Sequence, residues 1–575
     1  SSAASDVYKR QDQTVAARVI NDQTDLVTAI VSMMPPAWEN DPTLSDRVRA
    51  MFEYFSLYEE KNDGPAAVVF GDGTIIGARL DRLGLRPLRT VETTDYLCAF
   101  SEAGQVDFDP ETVIARGRVS AGGMIYYDHR EHRVYTTADA YEKLAAAKDY
   151  PALLRAAKVD LAAAHTSGEF SSNGFVSTAA EHDLTDHQRY RAYYLDQESF
   201  RYFTDPMLTD GVERVSAMGF GNAINPLTNV EPNVSRFFSQ RFAQVTNPPL
   251  DSIREADGMT LRVALGRRPD INAEPDRSEG RQIVLGTPIL TAGDLGVLMA
   301  QSESPVQVFD ATFQRGVDAD ADRIHLVESI DHLGARIVEF ASDTGGIAIL
   351  SDRGIGPDRA ALPMIFTVSA VNQQLISAGM RLRISLVVDT GQVESSHHLA
   401  AILGFGAAAV HPHTVARRAP DEEGFARWRK AAEKSLCKTM GRVGLCTVES
   451  YIGGEFFEPA FLDTAEQDLH HWFPNLRAPV GGVGLQPIVE ALGAAHSAAM
   501  SAPVPAADAD LPLLGLFKER AEGAGHSFGA VAVRGYGALV DEKIHFPSAR
   551  GESTKAEAEG LGDSVRLLTL ATPTA

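Results

Sequence analysis

Arg383-Ile-Ser-Leu-Val-Val-Asp-Thr-Gly-Gln-Val-Glu-Ser-Ser-His-His398 reads as a buried strand that runs into a polar loop and then a helix. The segment Ile384 to Val388 lacks the strict polar alternation of a strand with one wet face, so it is expected to be covered on both sides. Ser395 or Ser396 can cap the helix that follows, Ser396 to Leu403. The same grammar continues outward. Gln282 to Leu285, Val306 to Phe309, Arg323 to Leu326, Ile347 to Leu350, Met364 to Val368 and Ala407 to Val410 read as further buried strands. Ser329 to Ser342 and Ser369 to Gly379 read as helices between them. Apolar strands alternating with amphipathic helices predict an α/β unit with a parallel sheet, open or barrel-like.

Before Gln197 the pattern is different. Pro65 to Phe70 and Thr74 to Leu80 flank the turn Gly71-Asp-Gly73, which predicts a hairpin. Asp95 to Ser101 reads as another strand, and Met124 to Asp128 pairs back with Arg133 to Thr136. Helices are expected at Leu26 to Met34 and Leu44 to Glu59. Ala138 to Ala164 reads as a helical connector interrupted at Pro151. The whole is therefore α+β followed by α/β.

Composition excludes several function classes. The 575 residues carry 53 Lys plus Arg against 77 Asp plus Glu, a formal charge of -24. Such a surface repels phosphate backbones and anionic lipid, so neither nucleic acid nor membrane is expected as a partner. The longest apolar run, Leu399 to Val410, is too short to span a bilayer and contains two glycines. Cys98, Cys437 and Cys446 are too few and too scattered for a disulfide framework or a metal cluster, which points to a reduced, cytoplasmic protein.

Two places could hold chemistry at strand ends. One is Ser351-Asp-Arg-Gly354; the other is the loop with Asp389, Glu394, His397 and His398. Those carboxylates and histidines could supply acid–base or metal chemistry, as in a lyase or hydrolase. Alternatively, a serine caps the helix while the histidines satisfy buried carbonyls, the reading adopted here. His411-Pro-His413 has the same two readings. The Gly-rich pieces Met218-Gly-Phe-Gly221, Gly345-Gly346, Gly404-Phe-Gly406 and Gly481-Gly-Val-Gly484 lack a phosphate-cradling pattern and are read as turns or close packing. In Asp81-Arg-Leu-Gly-Leu-Arg-Pro87, Gly84 permits a turn and the charged residues can form an internal lock or grip a carboxylate.

At these residues the chain resembles the large subunit of glutamate synthase. Met33 to Asp41, Asp63-Gly-Pro-Ala-Ala67, Leu80 to Pro87 and Ser101-Glu-Ala-Gly104 are similar to its class II glutamine amidotransferase domain. Met218-Gly219, Pro226-Leu227, Arg241 to Glu255, Leu350 to Gly354, Val388 to Gly406 and Gly441 to Tyr451 are similar to its central domain. The resemblance implies the C-terminal part of an αββα N-terminal-nucleophile amidotransferase fold at 12–140. A helical connector at 141–196, a central domain at 197–502 and a lead-in to an FMN domain at 503–575 then follow. Residues 1–11 are read as an artefact, the alternative being that Ser1 is itself an N-terminal nucleophile. The family makes glutamate from glutamine and 2-oxoglutarate, channelling ammonia to a flavin site. FMN, an iron–sulfur cluster, and an NADPH-dependent small subunit or ferredoxin as electron donor are implied for the full-length enzyme, with no cofactor in this stretch. The cysteine nucleophile is expected upstream of Ser1 and the cluster cysteines downstream of about Gly529. The rest of the large subunit is the implied partner. Asp81, Arg82, Gly84, Arg86, Glu102, Asn247, Arg254 and Glu255 are the implied substrate or channel candidates. The loop carries Leu83 where the family commonly has Asn, and Phe220-Gly221 and Ser252 also depart from its pattern. These departures leave a divergent, non-enzymatic binding or assembly module as the alternative.

Overall fold

The computed structural model describes residues 12–59, 61–161, 182–213, 233–242, 250–269, 280–502, 507–513 and 534. Residues 1–11, Met218 to Gly221, Pro226-Leu227, Asn247 and most of 503–575 lie outside these. Among the described residues no helix is long and apolar enough to cross a membrane.

The N-terminal unit opens with helices α1 (Leu26–Met33) and α2 (Asp46–Tyr58), capped by the side chains of Asp25 and Ser45. Strands β1 (Ala67–Gly71) and β2 (Ile75–Leu80) form the expected hairpin. The Asp72 carboxylate holds its turn by accepting from Thr74 N and Ile75 N, both at 2.8 Å. Next come β3 (Arg89–Thr93), β4 (Leu97–Phe100), β5 (Val113–Arg118), β6 (Met124–Asp128) and β7 (Arg133–Tyr135). They form two antiparallel sheets, ordered β1-β2-β6-β7 and β4-β3-β5. Helices α3 (Thr137–Ala145) and α4 (Tyr150–Ala157) follow. Pro151 lies in the first turn of α4, where its missing N–H costs nothing, so it starts a helix rather than interrupting one. Phe52, Phe55, Tyr126, Tyr135 and Tyr141 are among the large side chains of this core.

The chain then enters β8 (Lys158–Asp160), which pairs in parallel with a strand far along the sequence. Beyond it lie α5 (Asp186–Ala192), β9 (Phe238–Gln240), α6 (Ser252–Gly258), β10 (Val263–Leu265) and β11 (Gln282–Leu285). The order β10-β11-β8 joins the N-terminal half of the chain to the second unit.

That second unit is built on β12 (Val306–Asp310), β14 (Gly346–Ser351), β16 (Ile384–Thr390) and β17 (Ala409–Pro412), hydrogen-bonded in that order and all parallel. Phe309, Leu350, Val388 and Val410 stand in one row across the ladder. Every residue of β14 and β16 is buried, as their continuous apolar character requires. Ile289 adds a parallel bridge to Val410. A side pair is formed by β13 (Thr312–Gln314) and β15 (Arg359–Ala361). Gly345 and Gly346 have φ of 70° and 122°, and a side chain on either would strike the carbonyl of Arg383 or Pro305. Close packing is thus their role at the entry to β14.

Two expected strands are helical. Arg323 to Leu326 lies inside α7 (Ala319–Asp343), whose buried residues Asp322, Leu326, Ile330, Leu333, Ile337 and Ala341 recur at helical spacing. Met364 to Val368 opens α8 (Met364–Ser377), which is enclosed on all sides at that end. A short apolar run has no period, and here burial by neighbours chose the helix. The helix α9 (Ser396–Gly404) then links β16 to β17, followed by the long α10 (Glu422–Val443). One hydrophobic core runs through this unit from Leu161 to Leu492.

Candidate functional site: the seam between the two units

Asp81 directly follows β2 and organises the loop there. Its carboxylate accepts from Ala66 N (3.1 Å), Leu83 N (3.0 Å) and Gly84 N (3.2 Å). Burial pushes the Asp81 carboxyl up, against the lowering effect of these backbone bonds. Gly84 has φ of 61°, and a Cβ there would lie 2.7 Å from Ala121 Cα, so the turn requires glycine. Arg82 turns inward, pairs with Glu39 at 3.0 Å and is 4% exposed at its side chain. Burial acts to lower its guanidinium pKa, but the charges of Glu39 and Asp63 outweigh it and raise it.

Leu83 reaches the other unit, where any side chain on Gly258 at the end of α6 would strike it. Asn40 completes that contact, its Nδ2 donating to the carbonyls of Ala256, Asp257 and Met259 at 3.2 to 3.3 Å. These are orphan carbonyls at a helix C-terminus, capped from across the seam. The motif Met33 to Asp41, the loop Asp81 to Pro87 and the segment ending at Glu255 are therefore brought together.

Contacts that the sequence reading did not single out tie the seam. The Asp63 carboxylate accepts from Cys446 N (3.2 Å), Thr447 N (2.8 Å) and Thr447 Oγ1 (2.8 Å). Lys61 and Glu449 pair at 2.6 Å with side chains 3% and 12% exposed, and Glu449 also accepts from Ala264 N. Burial would raise the Glu449 pKa, but Lys61, Arg268 and Arg262 overcome it and hold it below the usual carboxylate range. Arg262 donates to Glu53 (2.6 Å) and Ser56 Oγ (2.8 Å) and lies over the Trp38 ring. The Asp63-Gly-Pro motif and the block Gly441 to Tyr451 hinted at this only through their places in recognisable blocks.

The remaining candidates are dispersed. Arg86 lines a separate cavity of about 380 Å³ beside β1, with Met33, Met34 and Asn62. Glu102 is exposed in the loop after β4. Arg254 pairs with its own helix cap, Asp251, at 2.8 Å on the surface. Glu255 is half-buried, and burial raises its pKa against the charges of Lys438 and Lys434. Asn247 lies outside the described residues. Burial pushes the Cys437 thiol up to about 12 and raises Cys446 further, so neither is an activated nucleophile.

The strand ends of the parallel sheet hold a second polar cluster. Asp389 accepts from Ser351 Oγ (2.8 Å) and Arg353 (2.7 and 3.1 Å), and lies 2.7 Å from His411 Nδ1. Burial would raise its pKa, but the His411 hydrogen bond and the Arg353 charge hold it far below the usual range. Asp352 lies 2.9 Å from His413 Nε2 and accepts from Thr390 Oγ1, Gly391 N and Gln392 Nε2. Glu394 belongs to a third group, with Arg236 at 3.0 Å and Ser199 Oγ at 2.7 Å. Ser395 caps α9, and His397 Nε2 lies 3.0 Å from the Ser235 carbonyl. Capping and carbonyl binding thus hold for Ser395 and His397, whereas His411 and His413 satisfy carboxylates instead. Asp389, Glu394 and His397 bond to different partners, so they form separate buried contacts rather than one acid–base centre. Among the described residues no three His, Cys, Asp or Glu side chains gather as metal ligands.

Comparison with known proteins agrees with this geometry. Residues 3–153 match class II glutamine amidotransferases, and residues 188–463 match the glutamate synthase central domain. The NADPH glutamate synthase large chain of Azospirillum brasilense is 30% identical over 510 residues, covering 86% of this chain and 32% of that protein. The NADPH large chain of Bacillus subtilis is 28% identical, covering 80% of this chain and 30% of that protein. The chloroplastic ferredoxin-dependent glutamate synthase of Oryza sativa is also 28% identical, covering 80% and 29%. The chain spans about a third of the length of these relatives. Its two matched domains, in the same order as its two structural units, place the chain in the glutamate synthase large-subunit family.

Proposed function

We propose that the chain works within glutamate synthase, which makes glutamate from glutamine and 2-oxoglutarate by ammonia channelling and reductive amination. In that enzyme it is the platform joining the amidotransferase to the rest of the large subunit, and a wall of the ammonia route. The seam is the observation that carries this reading. An ammonia route has to be dry and fixed, because ammonia that meets bulk water is protonated and lost. The buried pairs Lys61–Glu449 and Arg82–Glu39, with the Asp63 bonds between them, supply that fixity. Arg82 and Arg86 are the route-side candidates, while Asp81, Gly84 and the helix carrying Arg254 and Glu255 shape the seam. The domain division at 12–140, 141–196, 197–502 and 503–575 is part of the proposal, supported by one main core from Leu26 to Ala157, joined by Val284, and another from Leu161 to Leu492. So is barrel-like curvature of the parallel ladder, supported by the Ile289 bridge beyond β17.

Glutamine and 2-oxoglutarate chemistry, and an NADPH-dependent small subunit or ferredoxin in the cytoplasm, are assigned to the assembled enzyme. The described residues do not fit its cofactors. Cys98, Cys437 and Cys446 sit on β4, on α10 and in the seam, not around a cluster. Asp352 and Asp389 place carboxylates at the sheet mouth, where a flavin phosphate needs donors. The purified chain is therefore expected to show neither a flavin absorbance band nor glutamate release from glutamine. Either signal would contradict the scaffold role. The names of the relatives disfavour a non-enzymatic module.

The seam itself can be probed by Asp63→Ala. Three donors lose their acceptor in a partly buried place, at a cost of about 2 kcal/mol. Calorimetry is expected to show one unfolding transition for the parent and two for the variant.

A further inference from the structure

A cavity of about 220 Å³ lies beyond the seam, where β10, the end of α8 and the starts of β16 and β17 meet. Its polar lining is unusual in what is left unused. Arg381 is committed: it donates to Asn372 Oδ1 (2.5 Å), the Ile384 carbonyl (3.0 Å) and the Gly406 carbonyl (3.0 Å). Ser385 Oγ is held by both backbone groups of Gly266. Asn372 is 3% exposed, and its amide Nδ2 has no hydrogen-bond partner among the described residues. Arg268 is anchored by its backbone N–H to the Leu382 carbonyl, while its guanidinium makes no hydrogen bond or ion pair among the described residues. Glu449, the one carboxylate in the lining, is already paired with Lys61.

Two guanidinium groups against one neutralised carboxylate leave the cavity positive. The Asn372 amide Nδ2, with no acceptor among the described residues, is left to donate to a ligand oxygen. A guanidinium fork suits a planar carboxylate. The opposite walls, Val263, Leu382 and Ile452, are apolar and suit a hydrocarbon body. At about 30 Å³ for each water-sized group, the space holds on the order of seven heavy atoms.

We propose that this cavity binds a small aliphatic monocarboxylate, its carboxylate bridging Arg268 and Asn372 Nδ2. A ligand there draws Arg268 away from Glu449, the seam residue whose ionisation it supports. Occupancy of the site is thereby coupled to the contact between the two units.

Calorimetric titration of the full chain with butyrate tests this, with butyramide as the neutral analogue and inorganic phosphate as the anion without a tail. Saturable butyrate binding is expected, with butyramide and phosphate each at least tenfold weaker. Arg268→Gln and Asn372→Asp are each expected to weaken butyrate at least tenfold, with the Tm of the ligand-free protein checked for both. Because Arg268 is only half-buried, its variant keeps the test independent of folding should Asn372→Asp unfold. Absence of saturation up to the order of 10 mM, equal binding of butyramide or phosphate, or unchanged affinity in Arg268→Gln would each overturn the proposal.

Discussion

Asp389→Ala is expected to lower the stability of the central unit by about 4 kcal/mol, read from chemical denaturation near neutral pH. The carboxylate is fully buried and receives Ser351, Arg353 and His411 together. Taking it away strips Arg353 and His411 of a buried carboxylate, and breaking one half of a buried pair costs far more than an exposed pair contributes. Asp389→Asn keeps the shape but not the charge and is expected to recover part of the loss. A change below about 1 kcal/mol in the alanine variant would mean that the cluster is solvated and not a lock. The direction of the Asp389 pKa also fixes its pH window. Its folded value lies below the ordinary one near 4, so its contribution is present above that pH and lost only in stronger acid.

A second large effect comes at milder acidity. Burial pushes His398 down to about 4 from 6.5, with both ring nitrogens unpartnered among the described residues. The unfolded chain takes up this proton near pH 6.5 and the folded chain only near 4. Stability is therefore full above about 6.5 and falls as the pH drops to 4, by about 3 kcal/mol for this one ring at 1.36 kcal/mol per unit. His397 and His411 are shifted the same way by burial and add to the slope. His398→Leu removes the group without breaking a hydrogen bond. Denaturation midpoints from pH 7 to 4 should fall less steeply in this variant, with little change at pH 7. Equal slopes in variant and parent would show that His398 is not held neutral.

What the amino-acid sequence disclosed follows from range. The stretch from Arg383 to His398 was legible because an apolar strand, a polar loop and a serine cap are each local signals. The β1–β2 hairpin was legible through Gly71-Asp-Gly73, and the Asp81 loop through the need for glycine at Gly84. Strand β5 was not, because Val-Ile-Ala-Arg-Gly-Arg is exposed along almost all of its length and carries no alternation. Met364 to Val368 misled because an enclosed helix and a buried strand are equally apolar. The seam was the least legible part. Asp63 and Thr447 are 384 residues apart, and nothing near either one names the other. Family resemblance placed both blocks in one protein without saying that they touch.

If ammonia is channelled from a glutaminase held in place by the seam, Asp63→Ala in the full-length enzyme separates the two nitrogen sources. Glutamate formation should be measured with glutamine and, separately, with free ammonia as the nitrogen source. The glutamine-driven rate is expected to fall while the ammonia-driven rate is kept. Equal rates in variant and parent from both sources, or an equal fall in both, would contradict channelling.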